Sequence, residues 1–346
     1  MSEMLTKEYD NPMCRQAMSL PELIRSQYED LEVKTRKVLS FQEIFNIQRV
    51  VLTGCGDSYA ACMATKHVFE MLTGIQAEVV TAIDFGRYYS ERHMGVDSQN
   101  PLVIAVSNSG RVARISEAVQ RAKFHDCFVL GITGNLTSPL AQNSDKVLKL
   151  DIPPFESAPG TRSYMVSVMA LLLLAVRIGE VRGMYTMDQA MDYRYDMKNQ
   201  GDLLEALLPQ MAETCAKMAE EWKDFPCFDF VGAGFDYAAA WFGQAKMLEA
   251  TGKYSMHINS EEWFHLNCFA KDPEHIGTVV VPAAWSMAEY LGKSGDEFLL
   301  AVICGYETMA RIGMALGVSA HRNLGWHVTS TAGTFGAAAA CAKLLG

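Results

Sequence analysis

The chain has 346 residues, with 30 Lys and Arg against 40 Asp and Glu, and 49% of it is hydrophobic. That length suggests two or three domains, and so large an apolar share excludes a disordered chain. A formal charge of -10 argues against nucleic acid as a partner, because a phosphate backbone is held by clustered Lys and Arg. It leaves phosphorylated small molecules open, since the N–H groups at a helix N-terminus bind anions without net basicity.

Residues 1–48 read as a helical segment, with Leu20-Pro21-Glu22-Leu23-Ile24 opening an amphipathic stretch. The polar, acid-bearing start is unlike a secretory signal, so the expected location is the cytoplasm. A β-rich run, Arg49–Thr53, is followed by Gly54-Cys55-Gly56-Asp57-Ser58 and a helix pattern from Tyr59 to Leu72. Strand patterns at Ala77–Thr81, Leu102–Val106, Cys127–Thr133 and Lys146–Ile152 alternate with helix patterns such as Val112–Lys123. Such alternation gives a parallel sheet covered on both faces, an α/β fold. The most apolar run, Tyr164 to Val176, is too short to cross a bilayer and reads as a buried helix. The stretch 181–222 reads as a helical connector. Nine cysteines without a CxxC pair suggest neither a zinc ribbon nor a disulfide framework. Eight histidines without HxH or HxxxH pairing predict no metal site.

The first module recurs at an offset of 178 residues. Gly54, Gly56, Tyr59, Ala60, Ala61, Thr73 and Gly74 return as Gly232, Gly234, Tyr237, Ala238, Ala239, Thr251 and Gly252. Asp84-Phe85 becomes Glu262-Trp263, and the Leu102 strand is expected to return as a strand at Thr278–Val281. The copy then stops: Pro282 leads into a long helical pattern through Leu316 and Gly/Ala-rich segments to Gly346. The expected organisation is a helical segment 1–48, module one at 49–180, the connector 181–222, a partial module two at 223–282 and a helical tail at 283–346.

Three turns carry chemistry. Ser107-Asn108-Ser109-Gly110 lies where a parallel strand ends and a helix begins, the place where open α/β sheets bind ligands. Gly56-Asp57-Ser58 lies at the corresponding turn of the preceding strand, and Thr161-Arg162-Ser163 precedes another helix. Small hydroxyl residues let a phosphate approach and donate to it, and the helix N-terminus adds partial positive charge. Each turn would also serve as a plain helix cap; three in one module point to a phosphate site.

These segments carry a resemblance. Gly54-Cys55-Gly56-Asp57-Ser58-Tyr59, Ala105-Val106-Ser107-Asn108-Ser109-Gly110 and Pro159-Gly160-Thr161-Arg162-Ser163-Tyr164 resemble the sugar-isomerase (SIS) domain family. With Val231-Gly232-Ala233-Gly234 and Ser260-Glu261-Glu262-Trp263-Phe264-His265, the arrangement resembles the double-SIS isomerase half of glucosamine-6-phosphate synthase and the fructosamine-6-phosphate deglycases. The resemblance implies three-layer, flavodoxin-like modules, the second incomplete. It implies a hexose 6-phosphate derivative as ligand, with Ser58, Ser107, Asn108, Ser109 and Thr161 at the phosphate or sugar and Cys55, Gly56, Asp57, Gly160 and Arg162 in the same turns; Arg111, a departure from the family pattern, is expected to supply charge there instead. The family's acid–base glutamate falls on Glu262, and His265 would open the sugar ring or hydrogen-bond locally. One carboxylate can move a proton between adjacent carbons without a cofactor, and Trp263 and Phe264 would shield it from water. Arg111 and Val112 stand where the family often has an acid and a threonine. Met1-Ser2 offers no N-terminal cysteine, and the synthase's C-terminal segment with its substrate-facing lysine is not expected here.

The tail carries a second resemblance. His275-Ile276-Gly277-Thr278-Val279-Val280-Val281-Pro282, Gly305-Tyr306-Glu307 and Gly325-Trp326-His327 through Gly346 are similar to a fragment of the MmgE/PrpD family. His275 and His327 match histidines near that family's active site, and the junction between the two resemblances falls within 275–282. The expected function is a phosphosugar isomerase, amino-sugar-phosphate deaminase or deglycase acting as a homodimer or higher oligomer. The alternatives are a non-catalytic sugar-phosphate sensor and an inactive hydro-lyase fragment.

Overall fold

The computed structural model describes residues 9–95, 101–267, 276–317 and 328–346. They fall into two contact units, Met1–Ile258 and Asn259–Gly346.

The first unit opens with α1 (Pro12–Met18), α2 (Leu20–Val38) and α3 (Phe41–Asn46). Then come β1 (Arg49–Gly54), α4 (Asp57–Thr73), β2 (Gln76–Thr81), α5 (Ala82–Arg87), β3 (Pro101–Val106) and α6 (Ala113–Phe124). The module closes with β4 (Phe128–Thr133), α7 (Pro139–Asn143), β5 (Lys146–Lys149) and α8 (Arg162–Val181), followed by α9 (Met187–Trp222). The five strands form a parallel sheet in the order β2-β1-β3-β4-β5.

Alternation along the central strands sorts the core into two layers. Val50, Leu52, Leu102, Ile104 and Val106 face α2, α4 and α8 in one cluster. Val51, Val103, Ala105 and Val129 face α5 and α6 in the other, packing on Phe85, Ile115 and Val119. Both faces of β1 and β3 are buried throughout, which is why these strands read as continuous apolar runs. Helix α8 is longer than its apolar run suggested: at 20 residues it is long and apolar enough to cross a membrane. Here it is the central core helix, with Val166, Ala170, Leu171, Leu174 and Ile178 fully buried. Helix α9 continues the helical stretch as an almost entirely surface element.

Beyond α9, β6 (Cys227–Gly232), α10 (Phe235–Thr251), β7 (Tyr254–Asn259) and α11 (Ser260–His265) have the same bounds as β1, α4, β2 and α5 shifted by 178 residues. The turns agree as well. Gly56 and Gly234 have φ of 56° and 55°, and Gly74 and Gly252 end their helices at 66° and 68°. These left-handed values favour glycine.

The expected strand at Thr278–Val281 is overturned: the segment lies inside α12 (Ile276–Leu291). Its short apolar run fits a strand or a buried helix by composition alone. The choice is settled by tertiary packing, since Val280, Ala284 and Ala288 bury one face at helical spacing. Their partners are α13 (Gly295–Leu316) and α14 (Val328–Leu345), where Gly305 and Gly336 allow the helices to meet closely. A Cβ on Gly305 would lie 2.8 Å from the Gly336 carbonyl oxygen. Like α8, α13 is by length and composition apolar enough to cross a membrane.

Candidate functional site

The strand order places the topological switch point between β1 and β3, where crossovers leave in opposite directions and a crevice opens at the carboxyl ends. Gly54 and Val106, the last residues of the two strands, are register neighbours. The turns 55–58 and 107–110 therefore flank the switch point. The third turn joins them through Gly160, where a Cβ would stand 2.8 Å from Asp57 Oδ2 and 3.1 Å from Ser163 Oγ.

Each turn is held by its own contacts. The Ser107 N–H donates to the Ile132 carbonyl at 3.0 Å, and Ser107 Oγ accepts from the Gly110 N–H at 3.2 Å. The Asn108 carbonyl accepts from the Gly134 N–H at 2.9 Å and from Thr133 Oγ1 at 3.1 Å. Gly110 sits at φ 64°, where a Cβ would come 2.1 Å from Ser138 Oγ, so only glycine fits. Asn108, Ser109 and Arg111 are exposed at the rim, and Ser109 Oγ accepts from the Arg111 N–H at 3.3 Å. Cys55 is half-buried, and burial raises its thiol pKa.

The helices that open here are not capped as Ser, Thr and Asn usually cap helices. Asn11, Ser40, Thr81, Ser138 and Thr186 each accept a helix N–H at the start of α1, α3, α5, α7 and α9. At α4, α6 and α8 the cap positions are Gly56, Val112 and Thr161, and none makes a side-chain cap bond. Three helix starts around the switch point thus lack a side-chain cap, as do those of α2 and α10; the Ser58 and Ile115 N–H groups turn to the Cys55 and Val112 carbonyls at 3.2 and 3.0 Å, and the helix N-termini still present partial positive charge there.

Two expected ligand residues are committed elsewhere. Thr161 Oγ1 donates to Gln16 Oε1 at 2.8 Å. The Arg162 guanidinium is buried, donates to Ser19 Oγ at 2.6 Å and lies 4.5 Å from the Phe155 ring centre. Arg162 therefore fastens the amino-terminal helices in this structure, while its buried Nε has no hydrogen-bond partner among the described residues.

One group escaped the sequence reading. Lys246 of α10, with 8% of its side chain exposed, places Nζ 2.8 Å from Asp57 Oδ1 and 2.7 Å from Glu249 Oε2. Burial pushes the Asp57 carboxyl above the usual range while Lys246 opposes it. Tyr164 stacks on Phe242 of the same helix at 3.9 Å. A lysine on the same helix as Ala238, Ala240, Trp241 and Phe242 was the available signal, but its partner lies 189 residues away.

Glu262 and His265 lie in the second contact unit, on α11. Glu262 is exposed rather than shielded, and His265 Nε2 is 3.0 Å from Glu261 Oε1. His275 and His327 lie outside the described residues. Among the described residues no cluster of His, Cys, Asp or Glu could hold a metal. A cavity of about 240 Å³ lined by Glu43, Asn46, Pro101, Asp126 and Phe128 opens at the other, amino ends of β3 and β4.

Comparison with known proteins agrees with this fold. The SIS domain model matches residues 43–177, and the MmgE/PrpD N-terminal domain model matches 262–346. The chain is 29% identical over 245 residues to the glutamine–fructose-6-phosphate aminotransferase (isomerizing) of Thermotoga maritima, covering 70% of this chain and 38% of that protein. It is 30% identical over 212 residues to the enzyme of the same name from Mycolicibacterium smegmatis, covering 61% and 33%. The chain thus spans less than half of either relative. Among solved structures, the C-terminal domain of glucosamine-fructose-6-phosphate aminotransferase from Francisella tularensis superposes with a TM-score of 0.67 at 20% identity, covering 78% of this chain and 75% of that one. Glucosamine-6-phosphate deaminase from Thermotoga maritima gives 0.52 at 21% identity, covering 72% of each. Over residues 43–177 the chain is thus similar to the SIS domain family, on an α/β fold, and from residue 262 onward to the MmgE/PrpD N-terminal domain.

Proposed function

We propose that the chain binds a hexose 6-phosphate derivative at the β1/β3 switch point and transforms it by proton transfer, as an aldose–ketose isomerase, an amino-sugar-phosphate deaminase or a deglycase. The observation that carries this reading is the set of uncapped starts of α4, α6 and α8 beside the hydroxyls of Ser58, Ser107 and Ser109. Backbone N–H groups and hydroxyls together suit a phosphate dianion, and Arg111 at the rim adds charge. Moving a proton between adjacent carbons needs one carboxylate and no redox cofactor.

Glu262, with His265, is the carboxylate the sequence motif puts forward. Glu249 is a second candidate, supported by its bond to Lys246, which also holds Asp57. The elements β6, α10, β7 and α11 are read as a partial second SIS module, and the helices after them as a tail without its parental activity. The protein is read as cytoplasmic and as a homodimer or higher oligomer.

The test is turnover of fructose 6-phosphate, glucosamine 6-phosphate and fructosamine 6-phosphate by the wild type, Glu262→Gln and Glu249→Gln, with binding followed in parallel. Turnover lost in one variant while binding is kept identifies the base. Binding without turnover in the wild type makes the protein a sensor.

A further inference from the structure

Helix α1 is fastened to the third hydroxyl turn by a set of specific contacts. Arg15 grips Glu156 with Nε 2.9 Å from Oε1 and Nη2 2.6 Å from Oε2. Gln16 Nε2 donates to the Glu156 carbonyl at 2.9 Å. Gln16 Oε1 accepts from both the hydroxyl of Thr161, at 2.8 Å, and its N–H, at 3.4 Å. Arg162 closes the set on Ser19. Gln16 and Ser19 are each 6% exposed, so the clasp is packed rather than a surface brush.

A hydroxyl has one proton to give. Thr161 gives its proton to the Gln16 carboxamide, and the same oxygen lies against the N–H at the start of α8. A phosphate oxygen accepts only, as the carboxamide oxygen does here, and wants the same two donors. We propose that Gln16 is an intramolecular competitor for the phosphosugar site: α1 docked holds the Thr161 donors, and a bound phosphate takes them over by displacing the carboxamide. This rests on the phosphosugar reading above. Because the coupling between two binding events is reciprocal, a bound phosphosugar must loosen α1 by the factor by which α1 weakens the ligand.

The experiment compares wild type, Gln16→Leu, Thr161→Val and the double variant by calorimetric titration with fructose 6-phosphate and, separately, inorganic phosphate. A hydrogen bond of this kind changes affinity by about two- to tenfold. Gln16→Leu should bind that much more tightly, and on the Thr161→Val background, where only the longer N–H contact is left to free, the same substitution should gain less. In the wild type, saturating fructose 6-phosphate should speed amide exchange of residues 14–18, a measurement that does not depend on any variant folding. Equal or weaker binding by a Gln16→Leu protein that melts like wild type would make Gln16 a mere brace and overturn the proposal, as would unchanged or slower exchange in α1. If the wild type binds fructose 6-phosphate and the gain is missing, only the competition fails. If it binds neither probe, the phosphosugar reading falls and takes the competition with it.

Discussion

Substituting Lys246→Met removes the one charge that holds Asp57 and Glu249 together. The Lys246 ammonium is 5.0 Å from the Phe242 ring centre, and methionine keeps the aliphatic packing there. Breaking a fully buried ion pair from one side costs about 3–5 kcal/mol, because the orphaned charge stays desolvated. Asp57 retains 24% side-chain exposure, which lowers the expected cost to about 2–3 kcal/mol. For a unit of this size each kcal/mol moves the melting temperature by about 2–4 °C, so the variant should melt about 4–12 °C lower. The sign of the pH dependence follows from Asp57. Burial raises its folded pKa above the ordinary 3.8, so its charged form is a cost that appears as pH rises through the folded value. The Lys246→Met penalty should therefore be largest near neutrality and shrink on acidification. Adding Asp57→Asn should restore most of the loss, because an amide needs no counter-ion. Circular-dichroism melts of the four proteins provide the cycle. A Lys246→Met melt within about 1 °C of wild type, or a double variant no better than the single, would refute the argument.

Gly110→Ala should displace the 107–110 turn, since its Cβ would stand 2.1 Å from Ser138 Oγ at φ 64°; phosphosugar binding should fall at least about tenfold, at a stability cost of about 1–3 kcal/mol. Gly54→Ala should be worse, because its Cβ would press to 2.7 Å on the backbone of Ser58 and Tyr59, and a soluble, cooperatively melting variant would contradict the packing. The Arg15 hydrogen bond holds the Glu156 carboxyl below its ordinary 4.5. Its contribution is thus present above that value and lost as pH falls through the lower folded one. Amide exchange in α1 should speed up below about pH 4.5, and unchanged protection there would remove Glu156 from the clasp.

The sheet was legible because both faces of β1 and β3 are buried: Val50–Leu52 and Leu102–Val106 stand out as apolar runs, and their expected ends lie within one residue of the observed ones. The turns at 56–58 and 107–110 were legible for a related reason, since small residues cluster where strand meets helix. Two kinds of feature were not. Thr278–Val281 has a composition that suits strand and helix alike, and only burial of Val280, Ala284 and Ala288 on neighbouring helices decides it. Partners distant in sequence were also hidden. Nothing local tells that Thr161 gives its hydroxyl to Gln16, 145 residues earlier, or that Asp57 meets Lys246. The contacts of Arg162 were hidden for the same reason: an arginine beside a hydroxyl turn suggests an anion, and nothing local shows that it reaches Ser19 and Phe155.

The central claim is tested most directly by melting the full chain with and without millimolar fructose 6-phosphate, glucosamine 6-phosphate and fructosamine 6-phosphate. Binding to the native state adds about 2.7 kcal/mol at a ligand concentration a hundred times Kd. The account predicts that at least one of the three raises the melting temperature by about 5–11 °C at that saturation. A cooperative melt that none of the three shifts would contradict it.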